Sequence, residues 1–147
     1  MSKNYKPSTA AEALLMRLKL NGIDYLFGNA GTDFAPIIEA YANTQKTNIS
    51  LPEPIVIPHE TAAVAMAHGY YLTTGKPQAA MVHVNVGLAN SLMGIINTAS
   101  DNIPFFMMAG RTPITEHDRV GSRMTPVQYG QEMRDQSTML RESVKWD

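Results

Sequence analysis

"IVIPHETAAVAMAHGYYLTTGKP" occupies residues 55–77. A short apolar run ends at Pro58, and an alanine-rich segment begins at Glu60 and continues to about Thr73. Thr74-Gly75-Lys76-Pro77 is a clear stop. The pattern predicts a strand followed by a helix. Ala62, Ala63, Ala65, Ala67 and Gly69 allow other backbone to approach that helix from more than one side. Such a helix is too apolar and too small-sided for a surface, yet a carboxylate leads it. One reading of Glu60 is a first-turn acid interacting with the helix dipole, worth about 0.3–1 kcal/mol. The other is a partly desolvated functional carboxylate. Burial would raise its pKa and the helix N-terminus would lower it.

The same alternation extends in both directions. Upstream, Ser8 or Thr9 caps the helix "AAEALLMRLKLNG", and "IDYLFG" reads as a buried strand. "NAGTDF" is a turn in which Thr32 or Asp33 can cap the helix "FAPIIEAYAN", with Pro36 tolerated in its first turn. Residues 44–53 read as polar loop, and "PIVIP" is a strand kept short by its prolines. Downstream, "QAAMVHV" is a third strand. "NVGLANSLMGIINTASDN" is a Gly-bearing turn leading into a helix, and "IPFFMMAG" is a fourth strand. From Ala10 to Gly110 helices and strands therefore alternate. That predicts an α/β fold, an open and mostly parallel sheet with helices on both faces. Residues 111–147 are more polar, with a loop and one helix expected near Pro126 to Glu142.

A chain of 147 residues makes one domain able to bury a core. A net charge of −1 offers no electrostatic case for nucleic acid or an anionic membrane. The absence of cysteine excludes disulfides, thiol catalysis and Cys-ligated zinc. The N-terminus lacks the apolar core of a signal peptide, and no apolar run reaches the ~20 residues of a membrane helix. A cytoplasmic location is the expectation.

Ligands of open α/β sheets bind beyond the C-terminal ends of the strands. Residues 28–32, 58–60, 83–87 and 109–113 converge there. His59, His68 and His83 have no spacing suited to a helical metal site. His83, at a strand end, is a candidate for polar substrate contact or a hydrogen-bonded histidine at the sheet edge. "GNAGTDF" is Gly-bearing and precedes a helix, but it matches neither established phosphate-loop spacing.

Taken in order, "FGNAGT", "PHETAAVAMAHGYYLTTGKP" and "GLANSLMGIINTASDNIPFFMMAGRTP" resemble the N-terminal pyrimidine-binding domain of thiamine-diphosphate enzymes. The closest group is that of acetolactate synthase and benzoylformate decarboxylase, and the resemblance covers about residues 8–147. It implies that Glu60 hydrogen-bonds N1′ of the cofactor's aminopyrimidine and favours the imino tautomer, which takes the proton from thiazolium C2. It implies a 2-oxo acid as substrate and either decarboxylation or carboligation as outcome. Gly28, Asn29, Ala30, Gly31 and Thr32 correspond to the family's first active-site loop, where proline often replaces Ala30. Asn90 matches the asparagine of a "GxxN"-like turn. His83 resembles the substrate-side histidine of the benzoylformate decarboxylase branch, where acetolactate synthases usually carry a small hydroxylic residue. The family holds Mg2+ and the diphosphate through Gly-Asp-Gly followed by Asn-Asn, and this chain has neither. The diphosphate site is therefore expected on a separate domain or subunit, with this chain an excised domain or the short subunit of a larger enzyme. Alone it is expected to be inert. A homodimer through the helices that carry Glu60 and Asn90 is also expected. The alternative is a non-catalytic oligomerisation or binding module in which Glu60 is only a cap.

Overall fold

The computed structural model describes residues 6–45, 47–123 and 130–147. Helix α1 (Ala10–Leu20) leads into strand β1 (Tyr25–Asn29). A 3-10 turn (Thr32–Phe34) precedes α2 (Ala35–Thr44), which is followed by β2 (Glu53–Val56) and α3 (Glu60–Thr74). Strand β3 (Ala79–Val82), α4 (Val84–Ser100) and β4 (Phe106–Ala109) complete the alternation.

The four strands form one all-parallel sheet in the order β2-β1-β3-β4. Each helix returns the chain to the start of the next strand. The path leaves β1 toward one edge of the sheet and then reverses across it. Right-handed crossovers therefore put α2 on one face and α3 and α4 on the other. The packing shows this division. Leu26, Ala79 and Met81 join Leu15 and Leu18 of α1 and Ile37 of α2. Their strand neighbours point to the opposite face, where Phe27 and Ala80 meet Ala63 and Ala67 of α3. Val82 meets Val64, Leu88 and Ile95 on that same face. Strand β3 is buried at all four positions, as expected of a central strand covered on both faces. Strand β2 is an edge with Val56 84% exposed, which is where Pro54 can lack its N–H without breaking a ladder.

Helix limits follow local chemistry. Thr9 caps α1 by accepting from Glu12 N, and the Glu12 carboxylate accepts from Ser8 N at 2.7 Å. Gly75 ends α3 at φ 68°, a left-handed position that glycine adopts without a Cβ penalty. Helix α4 packs closely on α3 because Gly94 has no side chain, and a Cβ there would lie 3.0 Å from Val64 Cβ.

Three expectations are corrected. Neither Thr32 nor Asp33 caps α2, because a 3-10 turn led by Gly31 intervenes, Phe34 holds the cap position without a side-chain bond, and Asp33 is drawn elsewhere. No turn separates the third strand from its helix. The strand stops at Val82, and α4 starts at Val84, where φ is 38°. The Asp33 carboxylate accepts from Val84 N at 3.1 Å and supports this abrupt change of direction. The helix expected over 126–142 does not form across its described part. Gly130 and Gln131 are helical, residues 126–129 lie outside the described residues, and beyond them only the 3-10 turn Ser137–Met139 is present. Its side chains serve long-range contacts instead. Glu132 pairs with Arg111 and accepts from Thr112, Gln136 donates to Gly110 O, and Leu140 enters the core beside Val82 and Leu88.

Candidate functional site

All four strands point the same way, so their following segments lie along one edge, as expected. Asn29 pairs with Val82 in register, and the chain departs to opposite faces after these two residues. In open α/β sheets ligands bind where the strand order reverses, which here falls between β1 and β3. The parallel sheet brings Asn29, Gly31, Glu60 and His83 to this edge from three different connections.

Glu60 begins α3 behind His59, whose Nδ1 accepts from Thr61 N. Its Oε2 accepts from Asn90 Nδ2 at 2.6 Å, and the Asn29 side chain lies near enough to help lower the carboxylate's pKa. Thr61 Oγ1 donates to Asn90 O at 3.1 Å, which ties the two helices at the same level. Gly87 packs against the end of β3, where an added Cβ would sit 3.1 Å from Val82 Cβ, with Glu60 Oε1 in ordinary contact at 3.4 Å. Burial is the largest single influence on Glu60 and pushes its pKa up. The backbone N–H at the helix start, Asn90, Asn29 and nearby His59 together outweigh it and hold the group below the ordinary glutamate value. Both readings of Glu60 are therefore present at once, a helix-start acid and a partly buried carboxylate with partners from other elements. Among the described residues no Lys or Arg pairs with it.

His83 forms a second centre. Its Nδ1 lies 2.5 Å from Asp33 Oδ1, and its Nε2 lies 3.1 Å from Gln131 Nε2. The ring packs against Gly31 in the loop after β1, where an added Cβ would fall 2.2 Å from Nδ1. Gly28 lies within β1 and accommodates Phe34, whose Cε1 would be 3.2 Å from an added Cβ. Ala30 is exposed between the two centres in sequence.

Sequence reasoning named Glu60, Asn29 and Asn90, which the structure joins. It missed Asp33 as the partner of His83, and it missed Gln131 and Gly87. Asp33 and His83 are 50 residues apart, so no local spacing marks them. The signal that Asp33 did carry, a cap-forming residue before a helix, pointed to the wrong role.

Residues 8–139 match the family described as thiamine pyrophosphate enzyme, N-terminal TPP binding domain. The chain belongs to this family. Among its curated relatives, the acetolactate synthase large subunit of Haemophilus influenzae is 31% identical over 106 residues, covering 72% of this chain and 18% of the relative. The acetolactate synthase large subunit of Lactococcus lactis is 26% identical over 144 residues, covering 92% and 24%. The chain thus spans about a fifth to a quarter of the length of these relatives. Among solved structures, the thiamine diphosphate-dependent 4-hydroxybenzoylformate decarboxylase of Rhodococcus jostii RHA1 superimposes with a TM-score of 0.64 at 23% identity, covering 94% of this chain and 24% of that one. A Mycobacterium smegmatis protein assigned to the thiamin diphosphate-dependent enzymes gives 0.71 at 22% identity, covering 95% and 24%. These likenesses establish the α/β fold. No helix among the described residues is long and apolar enough to cross a membrane.

Proposed function

We propose that this chain is the pyrimidine-side domain of a thiamine-diphosphate-dependent 2-oxo acid decarboxylase or carboligase, with Glu60 as its proton-handling residue. The observation that carries this reading is the setting of Glu60. It is a carboxylate at the strand-order reversal, held by the neutral amide of Asn90 with that of Asn29 nearby, and by no Lys or Arg among the described residues. Such an acid retains its charge and its acceptor capacity toward a heterocyclic N–H. The donor set therefore suits the N1′ edge of an aminopyrimidine.

Thiamine diphosphate, when bound, supplies the electron sink that loss of carbon dioxide from a 2-oxo acid requires. The chain's own residues do the rest of the local work. Glu60 shares a proton with N1′, and Asn90 and Asn29 keep the carboxylate aimed at it. Gly28 and Asn29 at the end of β1, with Ala30 and Gly31 just after it, line the pyrimidine end, and His83 makes the polar contact with the substrate. Mg2+ and the diphosphate belong to another domain or subunit, consistent with a chain that spans a fraction of its relatives. The exposed apolar side chains Met66, Val86, Met93 and Ile96 on α3 and α4 support a further subunit closing over Glu60 and drying the site.

The test is Glu60→Gln in the enzyme completed by its diphosphate-binding domain. Turnover falls by about 10²–10⁴-fold, the range of general acid–base catalysis, while the melting temperature falls only slightly. Near-normal turnover in that variant removes Glu60 from the mechanism and leaves a binding or assembly module. Sedimentation at tens of micromolar tests self-association, and a strictly monomeric profile counts against a homodimer.

A further inference from the structure

We propose that Asp33 is a positioning residue that commits His83 to the Nδ1–H tautomer, so that Nε2 meets the substrate as a hydrogen-bond acceptor. The inference deepens the proposed function and rests on the substrate role given there to His83.

Three observations carry it. First, the Asp33 side chain is 4% exposed and both of its oxygens are engaged. Oδ1 faces His83 Nδ1 at 2.5 Å, and Oδ2 accepts from Val84 N at 3.1 Å. An ionised carboxylate only accepts, so the Nδ1 facing it must be the one that carries the proton. In the neutral ring Nε2 then has the free lone pair. Second, the Gln131 side-chain amide lies 3.1 Å from Nε2. As oriented, its N–H suits an unprotonated Nε2, in agreement with the tautomer that Asp33 sets. Third, the fold makes room for the pair from two sides. A Cβ on Gly31 would lie 2.2 Å from His83 Nδ1, and one on Gly110 would lie 1.9 Å from Asp33 Oδ2. Glycines after β1 and β4 thus admit a carboxylate–imidazole pair between the β1 loop and the start of α4.

Val84 adds a physical reason for one carboxylate to hold two neighbours. A β-branched residue at φ 38° lies in the left-handed region, where its side chain is strained. The Asp33 bond to Val84 N helps to hold the residue there, and the same anion orients the preceding ring. Ring and backbone are therefore set together, and among the described residues Gln131 is the partner of Nε2 that an incoming hydroxyl or N–H would displace.

The experiment is ¹⁵N NMR of the histidine-labelled 147-residue chain, without cofactor and at alkaline pH, with His83 identified by its loss in His83→Gln. The expected result is a His83 signal dominated by protonated Nδ1 and bare Nε2. A His83 that is mainly Nε2–H overturns the proposal on the wild-type chain alone, whether or not any variant folds. Asp33→Asn has only one side-chain oxygen for two donors, so it is expected to shift His83 toward the Nε2–H form preferred by free histidine. An unshifted spectrum in folded Asp33→Asn also overturns the proposal. Gln131→Ala is expected to keep Nδ1–H, and a flip there but not in Asp33→Asn would assign the tautomer to Gln131 instead. None of these readouts uses turnover, so failure of the dyad and failure of the Glu60 mechanism are separate results.

Discussion

Glu12 and Glu60 are both glutamates in the first turn of a helix, and the fold uses them differently. Glu12 turns back on its own chain and accepts from Ser8 N and Ser8 Oγ, four residues away. Glu60 takes its amide partners from β1 and α4, about 30 residues distant on either side. The first is a cap that stabilises a helix. The second is held in place by the meeting of three elements at a crevice. Position in a helix alone does not separate them; the origin of their partners does.

Reciprocal substitutions break this comparison most directly. Glu60→Gln is expected to lower turnover by orders of magnitude with only a small fall in thermal stability, the loss of the ionised group's own contribution. Glu12→Ala is expected to do the reverse. It loses about 1–2 kcal/mol with the cap, a fall of a few degrees in melting temperature, with turnover per folded molecule preserved. A Glu12→Ala protein that melts normally would show that the local bonds to Ser8 contribute nothing measurable.

Two glycines sharpen the same contrast between a packed face and an open one. Gly94→Ala forces a methyl to within 3.0 Å of Val64 and is expected to lower stability by about 1–3 kcal/mol, partly offset by better helix propensity. Gly69→Ala meets nothing within 4 Å and is expected to gain about 0.5–1 kcal/mol. Calorimetry of both variants decides. A Gly94→Ala protein that melts higher would mean that α3 and α4 do not pack as closely as described.

The smallest effect concerns the titration of Glu60. Its pKa is lowered in the fold, so it binds fewer protons there than in the unfolded chain. Its contribution to stability is present above the ordinary glutamate range and is lost as pH falls through the depressed value. Asn90→Ala removes one of the lowering hydrogen bonds and is expected to move the midpoint upward, toward the ordinary value. A carboxyl NMR titration checks this, and an unchanged midpoint would mean that Asn90 does not stabilise the anion.

Much of the architecture was legible in the chain because it rests on local rules. Apolar runs bracketed by Gly and Pro marked four strands, and the small-sided segments between them marked helices. Their alternation required a parallel sheet and hence one edge carrying every following loop. The prolines around β2 and the Gly75 stop were read correctly for the same reason. Glu60 was legible as a candidate because an acid leads an apolar, small-sided helix, and Asn90 only through the resemblance of "GLAN" to a family turn.

What only the tertiary structure decided is which of these candidates meet. Hydrogen bonds across 30 to 50 residues obey no periodicity, so nothing in "GTDF" distinguishes a helix cap from the buried partner of His83. The same limit explains the last segment, where Glu132, Gln136 and Leu140 have a reasonable helical spacing but satisfy β4 and the core instead. Local propensity is worth tenths of a kcal/mol per residue, and long-range burial and pairing outweigh it wherever the two compete. The chain's own pattern determined the layers and the edge. Packing decided that a carboxylate at that edge would be held by amides and that a second one would be buried against an imidazole.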